Sequence, residues 1–370
     1  LETPQLELTL LDTPGHVDFS AEMERTLSVL DYAVLVISGS DGVQSHTRTL
    51  WRLLARYKVP AFLFINKMDL AGADESALMA QLTAALSAEC VDFSAPRGAR
   101  DEALALCDEA ALEEMLAHGA VSGGCIAGMI AARKVFPCFF GSALRMQGVE
   151  ELLSALGALT RQRDYPAAFG AKVFKISRDA QGARLTWLKV TGGSLRVKAP
   201  LAYRVQEREY SEKADQLRLY SGAKFRTLDR ADAGSIVAVT GLSRSYAGLG
   251  LGAEAESSAP LLQPVLTYQL ILPGGTDAHS ALAKLRELEE EDPMLHIIWD
   301  EPSGQIHVQL MGKIQLEILH RRILDRFGLD VAFGEGSIVY RETIAAPVLG
   351  MGHFEPLRHY AEVQLLIEPL

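Results

Sequence analysis

Three polar segments interrupt apolar runs in the first part of the chain: DTPGH (Asp12–His16), NKMD (Asn66–Asp69) and GSAL (Gly141–Leu144). Asp12 follows the run LELTLL, so a strand there presents its carboxylate at the carboxyl end, the edge where open α/β sheets bind ligands. A carboxylate in that place suits Mg²⁺ held through a water, because the hard ion keeps part of its hydration shell. Pro14 fixes φ, and Gly15 lets the backbone bring an N–H up to a terminal phosphate. His16 then stands beside that phosphate, placed to orient a water for attack. Taken alone, D-x-x-G is also an ordinary turn.

NKMD ends the apolar run AFLFI, where packing does not call for Asn, Lys and Asp. The Asp69 carboxylate can accept from guanine N1–H and its exocyclic amine, a pair of donors adenine does not offer. Asn66 can bond the base edge while the Lys67 stem lies over the ring. A mismatched base would leave buried polar groups unpaired at a cost of roughly 1–3 kcal/mol each, so the segment is a specificity device. The alternative is a polar loop with an Asx turn. GSAL follows the run PCFF, and its backbone amides can meet the guanine oxygen. Three strand ends in this order, opening at one sheet edge, point together to a guanine nucleotide.

The elements that would position these loops follow from periodicity. LELTLL, YAVLVIS, AFLFIN and PCFFGS read as strands. Helices are expected over Ala21–Leu30, Thr47–Tyr57, Asp74–Ala88, Asp101–His118 and Gly148–Leu159. YAVLVIS is apolar nearly throughout, as suits a strand buried on both faces of a parallel sheet. Strands separated by helices argue a doubly wound α/β domain. From about Phe169 short strands with glycine-rich joints replace the helices, which describes an all-β module, a barrel. VLTYQLILP, Asp277–Glu291, MLHIIWD, QIHVQLM and Gly312–Phe327 then give the ferredoxin-like order β-α-β-β-α-β. The expected fold class is thus multidomain α/β plus β, with units over 1–162, 166–258 and 262–342, and 343–370 opening a fourth.

Composition sets outer limits. Apolar residues make up 48% and charged residues 22%, the balance of a soluble globular chain. No apolar run approaches the length of about 18 residues that a membrane span needs, so no membrane partner is expected. The four cysteines lack C-x-x-C spacing and read as reduced packing residues of a cytoplasmic protein. A net charge of −11 argues against DNA or other nonspecific nucleic-acid binding by the whole chain. The chain opens at Leu1, nearly inside a strand, and EVQLLIEPL closes it on another, so both ends read as cut from a longer protein.

DTPGH, NKMD and GSAL, with SGSDGVQSHT between the first two, resemble the G domain of translational GTPases of the elongation factor G type. The resemblance covers all 370 residues. Runs such as VFKISRD, RLTWLKVTGGSL, EEEDPMLH and MGKIQLEIL make it look closest to the tetracycline-resistance ribosomal protection proteins. It implies a P-loop-GTPase-type domain, a translation-factor barrel and a ferredoxin-like domain, with GTP/GDP and Mg²⁺ as cofactors and the ribosome as partner of a monomer. By the same resemblance, Asp12 supports Mg²⁺ through water, Gly15 senses the γ-phosphate and His16 positions the hydrolytic water. Asn66, Lys67 and Asp69 read guanine, Ser142, Ala143 and Leu144 back the base, and the helix led by Asp18–Glu24 is the moving switch. The implied activity is drug release from the small subunit, with elongation-factor-G-like translocation as the alternative and a noncatalytic binding piece as the reading from another class. The family's phosphate loop G-x-x-x-x-G-K-[ST] and its threonine switch do not occur among these residues, so this piece is expected not to hydrolyse GTP.

Outside the loops, Arg178, Arg184 and Lys189 are candidates for ribosomal RNA phosphates or for a solvated strand face. Glu289–Asp292 reads as a solvated helix end before Pro293, with a contact surface as the alternative, and Trp187 as a packing residue. Ile314, Leu316, Ile318, Leu319 and Ile323 form a stripe that is core first and partner surface second. The nine histidines do not gather into a metal set, and only His16 has a setting that proposes chemistry.

Overall fold

The computed structural model describes residues 7–70, 72–258, 260–340, 343–355 and 360–369. Its first unit holds four parallel strands, β1 (Ala33–Ser38), β2 (Ala61–Asn66), β3 (Cys90–Asp92) and β4 (Phe136–Phe140), in the spatial order β1-β2-β4-β3. Around it lie α1 (Ser20–Leu27), α2 (Ser45–Arg56), α3 (Glu75–Ala85), α4 (Arg97–Ala105), α5 (Glu109–His118), α6 (Gly123–Ala131) and α7 (Val149–Leu159). Side chains alternate across β2, and both faces are covered. Leu63 and Ile65 enter a core with Trp51 and Leu53, while Phe62 and Phe64 enter another with Leu104 and Ile130.

Several sequence expectations change here. The described part of LELTLL forms no regular strand: residues 8–14 run without secondary structure, and Leu11, like Trp187, packs against the cluster of Val29, Phe174 and Ile236. Glu7 makes a single β-bridge, and Leu6 of this run lies outside the described residues. YAVLVIS is also less buried than expected. β1 pairs only with β2 among the described residues, and its Val34 and Val36 are exposed. The expected helix 101–118 is two helices, because Asp108 accepts from Ala110 N–H and starts α5 anew. β3 and α6 were not expected; the latter is glycine-rich and begins at Ser122, whose side chain accepts from Cys125 N–H.

The second unit is antiparallel. It comprises β5 (Gly170–Arg178), β6 (Arg184–Gly192), β7 (Ser194–Arg196), β8 (Pro200–Val205), β9 (Arg208–Lys213), β10 (Gln216–Ser221), β11 (Lys224–Leu228), β12 (Arg230–Asp232), β13 (Ile236–Thr240) and β14 (Gly250–Gly252). The main sheet runs β11-β10-β13-β6-β5-β14, with β7–β12 and β8–β9 as added pairs round one core that includes Val173, Leu188, Leu217 and Val239. The third unit places β15 (Leu266–Ile271), α8 (Ala278–Glu291), β16 (Ile298–Asp300), β17 (Gln305–Leu310), α9 (Lys313–Phe327), β18 (Ala332–Phe333) and β19 (Ser337–Ile338) in chain order. Its sheet order β16-β17-β15-β18, with both helices packed through Leu285, Leu288, Leu319 and Ile323, is the ferredoxin-like arrangement. A separate hairpin of β20 (Val348–Phe354) and β21 (Ala361–Ile367) follows, exposed along both strands.

The units meet through charge, and this corrects two more readings. Lys189 is buried and donates to Asp31 (2.6 Å) and to Val29 O (3.0 Å) of the first unit. Arg184 donates to Ser245 and Leu242 O and reaches Glu290 of α8 at 3.1 Å; Arg178 lies within ion-pair distance of Glu287, Glu290 and Glu291. These three cations staple units together and leave little to offer a nucleic acid. The acidic run at the end of α8 is accordingly a contact surface. Arg326 adds to Glu287 and Glu291, and Arg25 of α1 holds Asp292 at 3.2 Å. Four guanidinium groups offset the unfavourable position of carboxylates at a helix C-terminus.

Candidate functional site

β2 ends on Asn66, and the next residue, Lys67, turns the chain through a left-handed conformation with φ 65°. Asn66 Oδ1 accepts from the backbone N–H of both Lys67 and Ala143, each at 2.8 Å. Backbone bonds complete the join: Gly141 N–H to Ile65 O, Met68 N–H to Gly141 O and Gly39 N–H to Asn66 O. The NKMD and GSAL segments therefore form one linked pair of loops, fixed by a side chain that sequence reading had aimed at the base. Gly141 is required by space: a Cβ there would stand 2.1 Å from Gln147 O.

Asp69 lies within this pair. The buried Ser142 hydroxyl makes no well-formed hydrogen bond of its own, yet it lies close enough to hold the Asp69 carboxyl below the ordinary aspartate value. Arg145 Nε sits 3.3 Å from Asp69 Oδ2 and acts in the same direction. Asp69 is thus held as an anion, the form that accepts from two donors. Ala143 is exposed beside it on a short 3-10 turn, and Leu144, 91% exposed, points away from the core. Arg145 was missed by sequence reading; its signal was a cation directly after a backbone-donor loop.

The other group lies on a separate segment. Asp12, Gly15 and His16 are exposed, and open space surrounds Gly15 where a side chain would stand. His16 starts the 3-10 turn Val17–Phe19: its Nδ1 accepts from Asp18 N–H at 3.2 Å, and its ring lies edge-on to Phe19. The Nδ1 acceptor role puts the proton of the neutral ring on Nε2. His46, at the start of α2, was also missed. Burial pushes its pKa down, and the charge of His16 acts in the same direction. Asp69, Ser142 and Ala143 share one loop pair with Asn66 and Lys67, whereas Asp12, Gly15 and His16 lie on the segment that leads into α1. Among the described residues no group of three or more His, Cys, Asp or Glu gathers to hold a metal. Asp12 offers a single exposed carboxylate, which fits an ion held through water and carried in by a ligand's phosphates. No helix among the described residues is long and apolar enough to cross a membrane.

Comparison with known proteins gives this geometry its context. A family model described as "Elongation factor Tu GTP binding domain" matches residues 1–162, and one described as "Elongation Factor G, domain III" matches residues 263–335. The chain is related to the elongation factor G family of translational GTPases. "Elongation factor G 2" of Geobacter metallireducens is 31% identical over 98% of this chain and 64% of that protein. "Elongation factor G" of a Dehalococcoides mccartyi strain is 28% identical over 98% of this chain and 63% of its own length. A crystal structure of a Thermus thermophilus protein superposes with a TM-score of 0.74 at 24% identity, over 97% of this chain and 62% of that one, which supports the fold. The chain thus spans a little under two thirds of these relatives. Relatives in the elongation factor G family account for the mixed α/β unit, the barrel and the ferredoxin-like unit together. None of these relatives carries a name that mentions drug resistance.

Proposed function

We propose that this chain belongs to a ribosome-dependent GTPase that acts in translation as elongation factor G does, and that its first unit reads guanine. The linked NKMD and GSAL loops carry the reading, with Asp69 held ionised beside Ser142 and Arg145. Asp69 accepts from the base, Lys67 lies along it, and the loop Ser142–Leu144 backs it, although the Ser142 and Ala143 amides already donate to Gln147 O and Asn66 Oδ1. Gly15 and His16 belong to the phosphate end, where His16 orients the attacking water and Asp12 holds Mg²⁺ through water. The ion, when bound, neutralises charge on the transferring phosphoryl group. The ribosome would draw His16 into line, since its loop stands exposed beside the unit interfaces. The relatives favour the translocation reading over drug release from the small subunit.

Competition binding to this chain tests the base reading: guanosine and GDP should displace a fluorescent guanosine probe, and adenosine and ADP should not. Equal displacement by both bases would defeat it. For the activity, expressing the whole gene in a tetracycline-sensitive host should leave the inhibitory concentration unchanged; a rise would restore the protection reading.

A further inference from the structure

Helix α9 begins at Gly312, which offers no capping side chain, so the first N–H groups of the helix need an acceptor from elsewhere. Asp18 supplies it from 296 positions away. Its carboxylate, buried, accepts from Ile314 N–H at 2.9 Å and from Gln315 N–H at 3.4 Å. The same residue holds His16: its N–H donates to Nδ1 at 3.2 Å, and its carboxylate lies 3.5 Å from that nitrogen. The fit at α9 is close. A Cβ on Gly312 would stand 2.2–2.4 Å from the Asp18 carboxyl atoms. Gly312 is extended, with φ −170°, so alanine there is opposed by contact alone and not by its own backbone. Two residues along from His16, then, the first unit is pinned to a helix end of the third.

We propose that Asp18 is a positioning residue for His16: by capping α9 it makes the place of the imidazole depend on docking of the ferredoxin-like unit. This rests on the reading of His16 as the residue that orients water. The contact transmits in both directions, because displacing either partner leaves the other without its hydrogen bonds. His16 therefore takes up its resting position only while the third unit is seated.

The test uses the whole chain and acts from the far side. Gly312→Ala should shift the His16 imidazole resonances in NMR spectra and remove hydrogen-exchange protection from residues 12–24 as well as from 312–318. Asp18→Ala should reproduce both effects, and Asp18→Asn, whose amide oxygen can still cap, should restore most of the wild-type pattern. Asp277→Ala, which removes the local cap of α8, should leave His16 unmoved. Unchanged His16 resonances and unchanged protection of 12–24 in Gly312→Ala, with 312–318 loosened, would overturn the proposal. Circular dichroism confirms that each variant folds. Guanine selectivity is measured separately, so a chain that couples but shows no base preference refutes the proposed function and keeps the link.

Discussion

At the residue scale the decisive group is the Asp69 carboxylate. Guanine presents N1–H and an amine, whereas xanthine presents N1–H and a carbonyl. Asp69→Asn offers one acceptor and one donor, and should transfer preference from guanosine to xanthosine. A charged hydrogen bond is lost and a donor is left facing a donor, so guanosine affinity should fall roughly ten- to a hundredfold in a competition assay. Arg145 occupies one oxygen of Asp69 in the resting loop. Arg145→Ala should therefore tighten guanosine binding, and weaker binding would mean that the arginine serves the ligand. The pH sense follows from the lowered pKa. A carboxylate depressed in the folded state keeps its interactions above its unfolded value and loses them as pH falls through the folded one. The Asp69 carboxyl carbon should accordingly titrate below 3.8, the ordinary value, in a ¹³C NMR series, and in Ser142→Ala it should move up toward it.

At the element scale α1 is the part under most constraint. Glu24 is fully buried in it and accepts from Leu261 N–H, Leu262 N–H and the Tyr57 hydroxyl, so the helix grips both α2's end and the strap between barrel and third unit. Burial, with Glu24 close by, pushes the Tyr57 hydroxyl up to about 12. Glu24→Gln would aim an amide donor at a backbone donor and should cost about 1–3 kcal/mol, read as a lowered midpoint in urea unfolding. Lys175 and Glu22, 2.6 Å apart, tie the same helix to β5. A helix so held can move only if its partners move with it, which is a physical basis for a switch.

For the whole molecule the ionic belt decides how the units sit. Arg25, Arg178 and Arg184 face Glu287, Glu290, Glu291 and Asp292 across the junction, and Arg326 of the third unit itself joins Glu287 and Glu291. Exposed pairs weaken as salt shortens the Debye length, to about 3 Å at 1 M. Small-angle X-ray scattering should therefore show a larger radius of gyration in about 1 M NaCl than at roughly a twentieth of that concentration. The double variant Glu290→Lys, Glu291→Lys should show the expansion at low salt. A radius indifferent to both would place the holding energy in apolar contacts instead.

How much of this was legible beforehand differs by kind of interaction. β2, α8, α9 and β17 lie nearly where periodicity puts them, because local alternation and capping residues such as Asp277 act within a few positions. The place of Asp69 in a polar loop was equally readable, since a carboxylate after a buried strand has little packing role. LELTLL shows the opposite case: its composition suits a strand, but a strand needs a partner ladder, and the partner is not encoded in the segment itself. Arg178, Arg184 and Lys189 could not be told from a solvated face, because their carboxylates lie about 100 or more positions away in the chain. Nor could Asp18 be seen to cap a helix of another unit. By itself the sequence determined which polar loops close the buried strands and which segments bury their side chains, since both depend on residue type and short spacing. Which charges meet, and thereby which loop is held and by what, was settled only when distant segments were brought to within bonding distance.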